Sequence, residues 1–230
     1  MDPLDALGLA PATRAGLALL DEEGLVPRRI ASLSGERATL LDGEGATVGI
    51  VPPRLLDPRC SLDERVTVGD WVAVRPAPGA SLVRALLPRT SVLARKAPGR
   101  AATAQLLAAN VDVLFVVTAF GDDLAIRRLE RYLVTARSGG VQPVVVLNKV
   151  DQVRDGADVA TSFAARLGVD VVTTCAVDVG GADALHPWLA PGRTVAFVGS
   201  SWCGGPCRRR PARPRWPGRP RPGCRPAGRR

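Results

Sequence analysis

The sequence predicts a mixed α/β protein: a small all-β barrel followed by a parallel sheet with helices on both faces. Three observations predict it. Short strand candidates punctuated by Gly, Pro and Asp fill residues 27–89. From about residue 105 the pattern changes to near-continuous apolar runs alternating with helix-spaced stretches. Finally, Asn148-Lys149-Val150-Asp151 falls directly after one of those runs, where open α/β sheets bind ligands.

Residues 3–20 space Leu4, Leu7, Leu9, Leu17 and Leu20 as in a helix, and residues 1–24 are read as an N-terminal extension. Strands are expected at 28–34, 38–41, 47–51, 70–75 and 82–87, broken by Gly35-Glu36, by Asp42-Gly43-Glu44-Gly45, by Pro52-Pro53 and by Pro76-Ala77-Pro78-Gly79. Five short strands in residues 25–90 fit a closed barrel of the OB type, which often binds oligonucleotides, although any small β-barrel satisfies the same count. Trp71, in Asp70-Trp71-Val72-Ala73-Val74, is assigned to the barrel core rather than to base stacking.

Residues 91–202 read as the α/β unit. Buried strands are expected at 111–118 and 143–148, helices at 124–137 and 158–167, and two shorter strands at 169–174 and 194–198. Residues 203–230 contain ten Arg, seven Pro, five Gly, three Cys, two Ala and one Trp, from which no core can be built.

Charge and cysteine usage exclude several classes. The net charge of +9 resides in that last stretch; residues 1–202 carry 21 basic and 22 acidic side chains. Cys60 and Cys175 are the only cysteines before it, too few for a disulfide framework and in keeping with a reducing cytoplasm. The apolar run 111–120 contains Asp112 and is far shorter than the roughly 20 residues of a membrane helix. The expectation is a soluble, cytoplasmic protein.

Three segments carry chemistry. Asp151 can accept two hydrogen bonds from the ring N–H and amino group of guanine, whereas adenine offers no matching donor pair and would leave the carboxylate unpaired. Lys149 can lie over the base, and Asn148 can tie neighbouring loops together. Cys175-Ala176 follows the strand at 169–174, and a small residue there lets a backbone N–H approach the guanine oxygen. The third segment follows 194–198 and reads Gly199-Ser200-Ser201-Trp202-Cys203-Gly204-Gly205-Pro206. A phosphate-binding loop needs GxxxxGK[ST], with backbone N–H groups and Lys on the phosphates and a hydroxyl on Mg²⁺. Both glycines, Gly199 and Gly204, are in place, but Gly205 occupies the Lys position and Pro206 the Ser/Thr position. Cys203, Cys207 and Cys224 have neither His nor CxxC spacing, so no metal site is assigned. His186, the only His, reads as a surface residue.

With these segments in view, the chain resembles the ribosome small-subunit-dependent GTPase A family, the circularly permuted GTPases. The likeness rests on Arg95-Lys96, on Ala104 to Asp112 with its AANVD run, on the RRLERYL run from Arg127 to Leu133, on Pro143 to Asp151, and on Gly192 to Ser201. The guanine segment precedes the phosphate loop, the reverse of ordinary GTPases. The resemblance implies GTP hydrolysis stimulated by the small ribosomal subunit during its late maturation. It also implies an OB domain on ribosomal RNA, a GTP/GDP site with Mg²⁺, and a structural zinc whose ligands this sequence lacks. Guanine contacts would fall to Asn148, Lys149, Asp151 and Ala176, and a partial phosphate loop to Gly199, Ser200, Ser201 and Gly204; catalytic residues are unassigned. The protein is expected to act as a monomer and to be inactive for want of the phosphate-loop Lys and Ser/Thr, the alternative being a non-catalytic rRNA-binding module. The composition of 203–230 is that of a GC-rich gene read out of frame, so a frame change is expected near Ser201.

Overall fold

The strand pairing within residues 26–86 closes a ring. The computed structural model describes residues 2–96, 104–120, 124–153 and 155–199. Strands β1 (Val26–Ser34), β2 (Arg37–Leu41), β3 (Ala46–Ile50), β4 (Trp71–Arg75) and β5 (Ser81–Leu86) join in the order β1-β2-β3-β5-β4, and β4 pairs back onto β1. All pairs are antiparallel except β3 with β5, which gives the closed barrel of OB type that the punctuation foretold. Successive side chains on a strand face opposite ways. Val72 and Val74 therefore join Ile30, Leu40, Val51 and Val83 in the barrel core, and Leu55 of the 3-10 helix Pro53–Leu55 packs on the same cluster.

The same alternation corrects the reading of Trp71. It is 1% exposed, but it sits with Ala73 on the outer side of the barrel. Leu4, Leu7, Leu9, Leu17 and Leu20 cover it. They belong to a segment bearing two short helices, α1 (Pro3–Ala6) and α2 (Pro11–Ala18), each opened by a proline whose missing N–H costs nothing at a helix start. Thr13 Oγ1 donates to Pro88 O at 2.9 Å and pins α2 to the end of the barrel.

Two strands that the sequence pattern did not reveal come next: β6 (Val92–Lys96) and β7 (Ala104–Ala109) form an antiparallel ribbon. Their Ala-rich, partly charged sequences carry little β-propensity, so cross-strand pairing rather than local preference makes them strands. Leu93 and Ala108 lie against the core of the following unit.

That unit is a parallel sheet of β8 (Val113–Ala119), β9 (Gln142–Asn148), β10 (Asp170–Thr174) and β11 (Val195–Gly199), in the order β10-β9-β8-β11. Helices α3 (Ile126–Ser138) and α4 (Gly156–Leu167) cover one face, with Leu129, Leu133 and Ala136 over Leu114, Val116, Val145 and Leu147. The 3-10 helix Asp183–Trp188 covers the other, with Leu185 and Trp188 over Val113, Phe115, Val144 and Val146. Burial on both faces is why β8 and β9 read as unbroken apolar runs. Phe115 stacks on Phe197 at 4.9 Å and meets the edge of Trp188 at 6.2 Å. Among the described residues β11 pairs only with β8, and Phe197 upon it remains 58% exposed. The chain steps from β8 to β9 to β10 and then returns to place β11 beyond β8. The carboxyl ends of β8 and β11 thus flank a topological switch point, where sheets of this kind bind ligands.

Candidate guanine-nucleotide site

Parallel pairing aligns the strand ends. Asn148 is level with Ala119 of β8 and Thr174 of β10, and Gly199 is level with Val117 of β8. A Cβ on Gly199 would lie 2.6 Å from Val117 O, so a glycine is what allows β11 to end this close to its neighbour.

Beyond β9 the chain turns sharply. Lys149 takes a left-handed backbone, φ 63°, and the 3-10 turn Val150–Gln152 follows. A non-glycine residue in that region is strained and persists when its surroundings fix it, a condition met most often at binding sites. The turn leaves Asp151 exposed beside the end of β10.

Asn148 does what its position suggested. Its Oδ1 accepts from Thr174 Oγ1 at 3.2 Å and from the Ala176 N–H at 3.1 Å, joining the loop after β9 to the loop after β10. The Ala176 N–H is therefore engaged with Asn148 rather than directed at open space. Cys175, which sequence reasoning treated as a small residue at a strand end, contributes its thiol: Sγ donates to Asp151 Oδ1 at 3.1 Å. That contact fixes the carboxylate and leaves its other oxygen unpartnered in the hydrogen bonding described. The signal was present, because a polar atom in a strand-end residue beside an acidic loop needs a partner, but the pairing itself is tertiary. Ser200, Ser201 and Gly204 lie outside the described residues, so the structure brings together Asn148, Lys149, Asp151 and Ala176, while Gly199 ends β11 on the far side of β8 from β9.

The carboxylates of Asp178 and Asp151, which the thiol faces, push Cys175 up to about 11. Thiolate is the reactive form, so at pH 8 roughly one molecule in a thousand is ionised at this position. Iodoacetamide labelling at pH 8 with peptide mapping is expected to modify Cys175 slowly, and Asp178→Asn to accelerate it several-fold. Equal labelling rates in the two proteins would contradict this arrangement.

A cavity of about 760 Å³ lies elsewhere, between the barrel and α3, lined by Leu62, Pro88, Thr90, Thr135 and Ser138 among others. Arg89 on its wall is engaged with Asp70 and two carbonyls, so the cavity is a seam between packed units. No cluster of His, Cys, Asp or Glu able to hold a metal ion occurs among the described residues. His186 is exposed at the end of a 3-10 helix, its Nδ1 3.9 Å from Asp183. No helix among the described residues is long and apolar enough to cross a membrane.

Comparison with known proteins agrees with this geometry. The profile of the RsgA GTPase family matches residues 86–205. A protein of Opitutus terrae named small ribosomal subunit biogenesis GTPase RsgA is 41% identical over 194 residues, covering 79% of this chain and 53% of its own length. A protein of the same name from Xylella fastidiosa strain M12 is 49% identical over 148 residues, covering 61% and 42%. The chain thus spans about half the length of these relatives. Two solved structures share the fold. One is YloQ, described as a circularly permuted GTPase, with a TM-score of 0.58 at 19% identity over 80% of this chain and 63% of that one. The other is YjeQ from Thermotoga maritima, with a TM-score of 0.60 at 21% identity over 78% and 62%. With more than half of its length matched by the family profile, and with the guanine segment preceding the phosphate-loop strand in the order of circular permutation, the chain belongs to the RsgA GTPase family.

Proposed function

We propose that this chain binds a guanine nucleotide at the carboxyl ends of β8 to β11, as part of a GTP-hydrolysing protein of small-ribosomal-subunit maturation. The observation that carries the reading is the Asp151 carboxylate, exposed and held by the Cys175 thiol, beside an Asn148 that locks the two adjoining loops. A guanine entering there meets an acceptor already oriented for its two donors, with little side-chain freedom left to lose. Lys149, half-buried at the tight turn, supplies an alkyl chain and a cation for the face of the base. The residues Asn148, Lys149 and Asp151 serve the base, with Ala176 at its edge once its N–H is shared between Asn148 and the guanine oxygen; Gly199, Ser200, Ser201 and Gly204 serve the phosphates in part.

Mg²⁺ does not fit what this sequence offers. Its hydroxyl ligand position holds Pro206, and the phosphate-clamping Lys position holds Gly205. The same holds for structural zinc, since Cys203, Cys207 and Cys224 are only three thiols with no His beside them, one short of a four-ligand site. The barrel at 25–90 is the unit that contacts ribosomal RNA, the unit at 91–202 holds the nucleotide, and the protein works in the cytoplasm as a monomer on the small subunit.

Titration of the full chain with GDP and with ADP tests the reading. GDP is expected to bind at least tenfold more tightly, with GTP turnover at background even when small subunits are added. Equal affinity for the two would refute the guanine assignment. Turnover at the rate of a relative with an intact phosphate loop would refute the account of Gly205 and Pro206.

A further inference from the structure

The run Ala108-Ala109-Asn110-Val111-Asp112 carries much of the family likeness, yet it lies far from the guanine site, at the opposite end of the parallel strands. It occupies the junction of barrel and sheet. Asn110 has a left-handed backbone, φ 54°. Its Oδ1 accepts from the Thr90 N–H at 2.9 Å and from Thr90 Oγ1 at 3.3 Å, and its Nδ2 donates to Gly69 O at 3.1 Å. Gly69 is itself at φ 90°, and a Cβ there would lie 2.2 Å from Ala109 O, so only glycine lets the barrel turn close on this strand.

Arg29 of β1 enters this junction. Its guanidinium donates to Leu7 O, to Gly69 O at 3.3 Å, to Asn110 O at 3.1 Å and to Thr194 Oγ1 at 2.6 Å, and its Cζ lies 5.9 Å from the centre of the Trp71 ring. The four acceptors belong to four separate stretches: the N-terminal segment, the barrel, the entrance to β8 and the entrance to β11. All are neutral. Burial lowers the pKa of Arg29, while Asp112 and Asp70 act at longer range to hold its charge. A buried cation is tolerable only when its donors are used, which makes this geometry demanding.

The network continues into the sheet. Thr194 N donates to Asp112 Oδ2 at 2.7 Å, and its carbonyl accepts from the Asp112 and Val113 N–H groups at 2.9 and 3.2 Å. Gly192 N donates to Ala6 O at 3.1 Å, so the N-terminal segment also grips the lead into β11. Among the described residues β11 has one strand neighbour, β8. Its position thus depends on how its entrance is held.

We propose that Arg29 is a positioning residue that clamps the barrel to the entrance of β11 and thereby fixes the strand whose far end, Gly199, opens the phosphate-loop stretch. The clamp stands on contacts that do not depend on the guanine reading; only its functional meaning does. Anything that reorients the barrel acts through this junction on β11.

Hydrogen exchange of the full chain, read by mass spectrometry, tests the clamp without nucleotide. Arg29→Met and Thr194→Val are each expected to speed exchange across residues 195–199 at least tenfold, while residues 142–148 and 170–174 keep their protection. The double variant should exchange no faster than Arg29→Met. Thr194→Val removes one hydroxyl and leaves the other acceptors of Arg29 in place, so it decides the matter if Arg29→Met does not fold. Unchanged exchange at 195–199, equal loss of protection across all strands, or effects that multiply in the double variant would each overturn the proposal.

Discussion

Arg89→Ala is expected to destabilise the barrel by about 3–5 kcal/mol, the cost of removing one partner from a buried ion pair. Asp70 is fully buried and Arg89 nearly so. Arg89 grips the carboxylate with two parallel bonds, Nε to Oδ1 and Nη2 to Oδ2, both 2.7 Å, and also donates to Leu62 O at 2.7 Å and to Arg65 O. The Thr67 N–H adds a bond to Asp70 Oδ2 at 2.6 Å. One ion pair thus ties the irregular stretch between β3 and β4 to the end of the barrel. Burial is the foremost influence on Asp70 and pushes its carboxyl up, against the pull of Arg89 and Thr67. Without Arg89 the upward push is barely opposed. A carboxyl whose folded pKa exceeds its unfolded value favours folding below the unfolded value and loses that advantage as pH rises. The deficit of Arg89→Ala should therefore be largest at pH 7 and shrink towards pH 4. Urea denaturation at both values measures it. A wild-type midpoint would show that the pair contributes little, and a deficit indifferent to pH would show that the cost does not come from an uncompensated Asp70 charge. Replacing both partners, as Asp70→Leu with Arg89→Met, should cost less than Arg89→Ala alone, because no uncompensated charge remains.

Asp151→Asn should weaken GDP binding roughly 10- to 100-fold, the value of one charge-assisted hydrogen bond. The amide keeps one acceptor but presents its NH₂ to a guanine donor. A base with a carbonyl in place of the guanine amino group accepts from that NH₂, so xanthosine diphosphate should bind the variant better than GDP does. Calorimetry with both nucleotides on both proteins checks the exchange. Undiminished GDP binding by Asp151→Asn would remove the carboxylate from the site. Cys175→Ala is a milder probe of the same oxygen, since it frees Oδ1 without altering the charge.

The two predictions differ in how far the sequence alone could have led to them. Asp151 was legible because a short polar run after a long apolar one marks a loop at a strand end, and that placement is local. Arg89 was not legible. Asp70 and Arg89 lie 19 residues apart on either side of two strands, and only closure of the barrel brings them together. The same holds for β6 and β7, whose composition favours no strand and whose pairing does.

Sequence by itself determined the elements with strong local periodicity. The five barrel strands, the buried runs of β8 and β9, helix α3 with its apolar stripe, and the polar Asn148–Asp151 segment at the end of β9 all follow from spacing and side-chain type. It also determined that Gly205 and Pro206 stand where a phosphate loop needs a cation and a hydroxyl. Tertiary structure alone decided which polar groups met. Trp71 looked like barrel core, yet it faces out under the N-terminal leucines, because strand alternation fixes opposite faces without saying which is inner. Arg29 looked like one arginine among many, until four stretches of chain supplied its acceptors. Periodicity is a property of neighbours along the chain, whereas buried polar pairing is a property of neighbours in space, and the demand that each buried donor find a partner is met only once the chain has folded.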